Sequence, residues 1–188
     1  MTRERFVLLA LAASLGTPKQ AQGFNELFRD LEAEAVAGCL FPQGRMGGAF
    51  DPGPMGGARL TGAYFGPWKA HAQFFFNRLD GPGSPAVADL YKGGVGLERR
   101  SAVVWIPASG LGFSLHRLSI SRWKPDDGPE PFLEGGESEF GVYPFLRWHA
   151  LLDGAWSLSA TCQWDIVFTG PAYSHMASLQ LGLGRRLP

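Results

Sequence analysis

The sequence predicts a closed, antiparallel up-and-down β-barrel of about eight strands with a short N-terminal helix. The clearest observation lies in the last third of the chain. Between positions 155 and 168 every even residue is apolar, and every odd residue from Ser157 to Asp165 is polar. A period of two over this length is typical of a β-strand with one apolar and one polar face. The polar face carries Ser, Thr and Gln instead of Lys and Glu, which favours a narrow packed interior.

The segment before this strand supplies the second observation. A three-residue loop over 152–154, with Gly154 in the left-handed conformation, would pair Trp148 with Leu158. Residues that pair directly lie on the same face of a sheet, so apolar would meet apolar. A two-residue turn would pair apolar with polar residues, and we reject it.

The segment after the strand supplies the third observation. A four-residue connection over 169–172 pairs Trp164 with Ala177, again apolar with apolar. Three consecutive strands therefore agree on which face is apolar. We expect that face to point outward in a membrane barrel, which makes a lipid bilayer the expected partner.

Length and composition are compatible with this prediction. The chain has 188 residues, which suggests one domain, and its formal net charge is zero with 18% charged residues. No basic stripe or cluster is present, so we expect no nucleic-acid partner. Beyond the N-terminus no apolar run is long enough for a membrane-spanning helix.

The N-terminal region divides into three predicted parts. Residues 1–23 have a charged start, a short apolar stretch and small residues at 21–23, which predicts a secretory signal peptide, with an amphipathic or buried N-terminal helix as the alternative. Residues 24–58 are expected to form an amphipathic helix (24–37) followed by a Gly-, Pro- and Met-rich linker. The barrel itself is predicted over 59–188.

The middle strands are less regular. Residues 68–77 alternate as the later strands do. Between 111 and 123 the apolar residues Leu118 and Ile120 fall on the face opposite to Leu111, which predicts a bulge or bend near His116.

Catalytic and metal-binding motifs are absent from the sequence, and we expect neither a cofactor nor a metal ion. By the register above, His149 lies opposite Ser157, a pair that a lipid-modifying barrel enzyme could use. A lumen histidine that makes hydrogen bonds is the simpler interpretation. If the chain is exported, Cys39 and Cys162 meet an oxidising compartment, where inert thiols are favoured over a disulfide.

The polar faces of the last strands predict a structural network inside the barrel. Arg147 is expected to point into the barrel, because a guanidinium that faces lipid would cost about 2–4 kcal/mol at the midplane. A carboxylate such as Glu98 or Glu139 is the expected partner of Arg147. The predicted network consists of Tyr143, Arg147, His149, Gln163 and Ser178. Four tryptophans on apolar faces, Trp68, Trp148, Trp156 and Trp164, are expected to form an aromatic belt.

The stretch from Trp156 to Ala160, the turn at 170–172 and the closing segment from Leu179 to Leu187 resemble the last hairpin of small bacterial outer-membrane β-barrel proteins. The resemblance covers about the last third of the chain, together with the signal peptide. It implies a location in the outer membrane and a structural or surface-interaction role. The alternatives are an outer-membrane lipid-modifying enzyme or lipid binder, and a soluble exported lipocalin-like barrel.

Overall fold

The computed structural model is a closed barrel of eight antiparallel strands, each paired with its neighbours in the chain, and β1 closes the barrel against β8. It describes residues 31–65, 68–81, 87–99, 106–122, 135–169 and 172–187. The elements are β1 (Glu32–Gln43), α1 (Arg45–Ala49), β2 (Gly53–Phe65), β3 (Trp68–Asp80), β4 (Val87–Arg99), β5 (Ala108–Arg122), β6 (Gly135–Leu151), β7 (Trp156–Thr169) and β8 (Ala172–Arg186). The predicted barrel and its strand number are confirmed.

Strand β7 has the two faces that its alternation predicts. Leu158 and Trp164 are 46% and 43% exposed on the outer wall, whereas Ser157 and Gln163 are 2% and 1% exposed inside. The apolar face is therefore the outer one, and the polar face lines the interior.

The predicted register is correct on one side of β7 and wrong on the other. Trp164 pairs with Ala177 of β8, as predicted. On the other side, however, Trp148 pairs with Ala160 and Leu158 pairs with Ala150, two residues away from the predicted partners. A shift of two residues leaves every side chain on its predicted face, because the side-chain period of a strand is also two.

The reason for the shift is the hydrogen bonding of the β6–β7 loop. The Asp153 carboxylate accepts hydrogen bonds from the backbone N–H groups of Ala155 (2.9 Å) and Trp156 (2.7 Å). The backbone N–H of Leu152 donates to the carbonyl of Trp156 at 3.0 Å, so the loop consists of residues 153–155 and begins one position later than predicted. Gly154 does not take the left-handed conformation that the predicted loop over 152–154 needed.

Asp153 should make this loop sensitive to acid. The N–H groups of Trp156 and Ala155 lower the pKa of its carboxyl below the ordinary value. Its contribution to stability is therefore present above the unfolded pKa of roughly 3.9 and is lost as the pH falls below it. We expect Asp153→Asn to lower the urea midpoint slightly at pH 7 and to match the wild type near pH 2. An equal difference at both pH values would contradict this assignment.

The N-terminal boundaries differ from the prediction. Residues 32–43 form β1 instead of the end of a helix, and the rest of the predicted linker contributes α1 and the first part of β2. Glu32 and Glu34 point inward while Ala33 and Ala35 point outward, so the segment has the period of a strand. The barrel begins at Glu32 and not at residue 59. The predicted signal peptide and residues 24–30 lie outside the described residues.

The predicted bulge near His116 is also wrong. His116, Leu118 and Ile120 all point inward from β5, and the β5–β6 register is continuous through them. The irregularity lies further on, where β4 meets β5 between Val87 and Ala88. Leu118 and Ile120 need no bend because the barrel interior is itself apolar at this level.

An apolar plug fills the interior at the end of the barrel where β1 leads into α1. Its buried residues are Val36, Leu40, Phe50, Met55, Phe75, Leu79, Ala88, Leu90, Val167 and Met176. Met46 and Ala49 of α1 pack against it. We call this the plugged end, and the opposite end, where β1 begins and β8 finishes, the terminal end. No helix in the described part of the chain is long and apolar enough to cross a membrane.

Candidate functional site

Between the plug and the terminal end, the interior of the barrel is charged. Eight buried ionic side chains belong to the described strands. They are Arg59, Lys69, Lys92, Arg147, Glu32, Glu34, Glu98 and Asp165. Four cations face four carboxylates, so the formal charges of this lumen network balance, as burial requires.

Arg147 is the centre of the network and is 1% exposed. Its guanidinium donates to Glu34 at 2.8 Å, to Glu98 at 3.2 Å and to the Thr61 hydroxyl at 3.3 Å. Glu98 is one of the two partners suggested by the sequence, whereas Glu139 does not take this role. The sequence does not reveal Glu34 as a partner, because its pattern predicts a helix over 24–37.

Arg59 of β2 forms a second arm of the network. Its guanidinium donates to Glu34 at 3.1 Å, to the side-chain carbonyl of Gln180 at 2.5 Å and to that of Gln73 at 3.4 Å. Another hydrogen bond reaches Thr161 of β7 at 3.3 Å. Residues from β1, β2, β3, β7 and β8 are thus tied together across the lumen.

Glu34 is the shared carboxylate of both guanidinium groups. It also accepts a hydrogen bond from the Ser159 hydroxyl, so each of its oxygens has a partner. Gly182 of β8 leaves the space for this group. A Cβ atom at position 182 would collide with the Glu34 carboxylate and approach the Ser159 hydroxyl to 2.7 Å.

We therefore expect Gly182→Ala to destabilise the barrel by about 1–3 kcal/mol, the usual cost of overpacking a filled interior. Gly93→Ala is the matched control, since a Cβ atom at position 93 meets nothing within 4 Å. Urea titration in detergent micelles, followed by tryptophan fluorescence, measures both variants. Equal midpoints for the two would show that Glu34 does not need this space.

A smaller group lies at the terminal end. Glu32 accepts hydrogen bonds from the Ser157 hydroxyl and from His149, the latter at 3.0 Å. Within the described strands, no hydrogen bond joins Ser157 to His149. Because a serine nucleophile needs its base within hydrogen-bond reach, this geometry is that of two donors holding one carboxylate.

A further buried ion pair lies against the plug. Lys92 donates to Asp165 at 2.6 Å, and Gln163 donates to the other oxygen of the same carboxylate at 2.9 Å. The Lys92 ammonium also lies over the Tyr143 ring, 4.5 Å from its centre. Asp165, Lys92 and Gln163 therefore form the boundary between the charged and apolar parts of the interior.

The structure separates some of the residues that the sequence grouped together. Tyr143 does not lie opposite Gln163, because Gln163 pairs with Phe145. The Tyr143 hydroxyl lies 3.0 Å from His71. Ser178 does pair with Gln163 and accepts a hydrogen bond from Gln180 at 2.9 Å. The two-residue shift of β6 accounts for the difference.

The four predicted tryptophans all lie on the outer wall, with 39–44% of their surface exposed. They do not share one level. Trp68 and Trp156 begin their strands and Trp148 lies near the end of β6, so these three surround the terminal end. Trp164 lies eight residues along β7, roughly 26 Å from Trp156 at about 3.3 Å per residue. It donates to His175 at 3.3 Å.

The two cysteines are free thiols. Cys39 and Cys162 both pair with Leu179, from opposite sides, so a whole strand separates them. Among the described residues, no group of three or more His, Cys, Asp or Glu side chains is arranged to hold a metal ion.

A closed barrel with an apolar wall and a charged interior defines the class of small membrane-type β-barrels. The fold is similar to that of Neisserial surface protein A, with 12% identity, a TM-score of 0.59 and coverage of 84% of this chain and 96% of the other. It is also similar to outer membrane protein OprG from Pseudomonas aeruginosa, with 9% identity, a TM-score of 0.53 and coverage of 84% and 95%.

A third similar structure is a major outer membrane protein from Thermus thermophilus, with 14% identity, a TM-score of 0.50 and coverage of 84% and 98%. No protein-family model matches the sequence. No curated protein matches it either. The likeness is therefore one of fold.

Proposed function

We propose that the chain is an outer-membrane β-barrel with a structural or surface-interaction role and a lumen closed by its own side chains. The observation that carries the proposal is the inverted distribution of polarity. Charged residues such as Arg147 and Glu98 are buried, while large apolar residues such as Leu181 (69% exposed) cover the outer wall. A lipid bilayer is the solvent that stabilises this distribution.

A water-soluble barrel does not fit this distribution. A lipocalin-like protein would need an apolar cavity and a polar exterior, yet the lumen network occupies the interior of the terminal half. The outer wall would expose a continuous apolar surface far larger than the few hundred Å² that is usual for soluble monomers. Signal-peptide removal at 1–23 and export belong to the same proposal.

The closed lumen distinguishes this role from that of a diffusion porin. The side chains of Arg59 and Arg147 cross the interior of the barrel, and the apolar plug fills the interior between them and the plugged end. Barrels of eight strands have an interior just wide enough to be filled by side chains. We therefore expect the purified protein to give no stable conductance steps in planar lipid bilayers. Regular open steps from the wild-type chain would contradict the closed lumen.

Cell fractionation with gel mobility tests the proposal as a whole. We expect the protein to stay in the membrane fraction through salt washing and osmotic shock and to need detergent for release. An unheated sample in mild detergent should migrate differently from a boiled one, because the closed barrel resists unfolding. Release by osmotic shock alone would contradict the membrane location.

A further inference from the structure

The outer wall carries a run of small side chains on β1 and β2. The outward residues there are Ala33, Ala35, Ala37, Gly56 and Ala58. Large side chains stand on both sides: Trp156 and Leu183 on β7 and β8, and Leu60 and Phe74 on β2 and β3. The result is a recess of about 640 Å³ in the wall, which we call the β1 recess.

Except at its mouth, the outward side chains that line the β1 recess are apolar. Polar residues border the rest of the recess only where their own side chains point into the barrel. Glu34, Arg59 and Gln73 border the recess, but their side chains are held in the lumen network. The space is within the range of about 300–1,000 Å³ that small-molecule sites occupy. A ligand portion that fills it must itself be apolar, as a hydrocarbon chain is.

One charged side chain stands at the mouth of the β1 recess. Arg185 points outward from β8, paired with Ala33 on one side and with Trp156 on the other. Its guanidinium lies over the Trp156 ring, 5.5 Å from the centre, and this contact fixes its position. Within the described residues, no carboxylate forms an ion pair with Arg185.

Arg185 lies at the same height along the barrel as the three tryptophans of the terminal end. Trp68, Trp148 and Trp156 surround the terminal end, and tryptophans of membrane barrels gather where hydrocarbon meets headgroups. A guanidinium at this level faces phosphate, for which its planar array of donors is suited. The Ala33–Ala35–Ala37 face leads from it toward the hydrocarbon.

We propose that the β1 recess seats one anionic phospholipid, with its phosphate on Arg185 and an acyl chain over the alanines of β1 and β2. The inference rests on the membrane location proposed above and names a specific lipid contact within it. The two halves of the ligand match two adjacent features of the wall: charge complements charge at the mouth, and hydrocarbon fills the apolar recess.

Native mass spectrometry of the barrel released from nanodiscs tests this site. The nanodiscs contain phosphatidylglycerol and phosphatidylcholine in equal amounts. We expect the wild type to retain one phosphatidylglycerol preferentially. Arg185→Gln should lower that retention about fivefold, the effect of one cation at an anionic surface. Arg117→Gln, an outward arginine near the plugged end, is the matched control and should retain lipid as the wild type does.

A second pair of variants tests the recess itself. Ala58→Leu fills the apolar space and should reduce retention while leaving Arg185 in place. Ala177 is an outward alanine of β8 beyond the recess, so Ala177→Leu should leave lipid retention unchanged. Equal retention of both lipids by the wild type, or equal loss from Arg185→Gln and Arg117→Gln, would overturn the site. So would unchanged retention in Ala58→Leu, because the chain would then not occupy the recess.

Bilayer insertion of every variant is checked first by heat-dependent gel mobility. Insertion with no lipid preference overturns only the phospholipid site. Failure of the wild type to insert overturns the proposed membrane function, so the two failures are distinguishable.

Discussion

Arg147→Leu should lower the stability of the detergent-solubilised barrel by about 3–5 kcal/mol. The substitution removes the guanidinium that lies between two buried carboxylates, Glu34 and Glu98, and leaves the charged interior with one excess negative charge. Removal of one member of a buried ion network costs more than the pair contributes, because the remaining charges stay desolvated. Urea titration followed by the loss of the heat-resistant gel band measures the change.

Arg186→Leu is the control for this experiment, since Arg186 is exposed at the terminal end. Its midpoint should change little, because exposed charges contribute about 0–1 kcal/mol. The double variant Arg147→Leu, Glu98→Gln should recover part of the loss, since the buried positive and negative charges are then equal in number again. Equal destabilisation by Arg147→Leu and Arg186→Leu would contradict the central place of Arg147.

Lys92→Met should have the second largest effect, about 3 kcal/mol. The ammonium is bound to Asp165 at 2.6 Å next to the apolar plug, so its removal leaves a carboxylate with little access to water. Met retains the length of the stem beside Phe75 and Tyr143, so that the charge is the main group lost. Thermal unfolding in micelles, followed by circular dichroism, gives the shift in Tm.

The control for Lys92 is Arg117→Met, which removes an outward cation of β5. It should leave the Tm close to that of the wild type. Combining Lys92→Met with Asp165→Asn should cost less than the sum of the two single changes, since the neutral amide no longer needs a counterion. Additive losses would show that Lys92 and Asp165 are not energetically coupled.

The C-terminal strands could be predicted because their outer faces are large and apolar and their inner faces small and polar. Trp164 and Gln163 belong unambiguously to opposite faces, and parity then fixes the faces of the adjoining strands. The register of β6 could not be fixed in the same way. A shift of two residues preserves every face, and only the Asp153 hydrogen bonds select the loop over 153–155 instead of 152–154.

Strand β1 could not be predicted from the sequence, and the reason is physical. Its first three outward residues are alanines and its inward residues include Glu32 and Glu34, so hydropathy does not mark the lipid face there. The carboxylates are satisfied by residues far along the chain, such as Arg147, and no local pattern reveals such a pairing. The same limit explains why Glu34, which binds two guanidinium groups, was absent from the predicted network.

The lipid-facing wall is tested most directly by measuring whether lipid or water surrounds its residues in a bilayer. A nitroxide label on Cys162, in a Cys39→Ser background, reports on a residue of β7 that the structure places outside. A label at Cys162 should relax strongly with oxygen and weakly with a water-soluble nickel complex. A label on Leu152→Cys in the β6–β7 loop, combined with Cys39→Ser and Cys162→Ser, should do the reverse. Equal access of the nickel complex to both positions would contradict a lipid-facing wall.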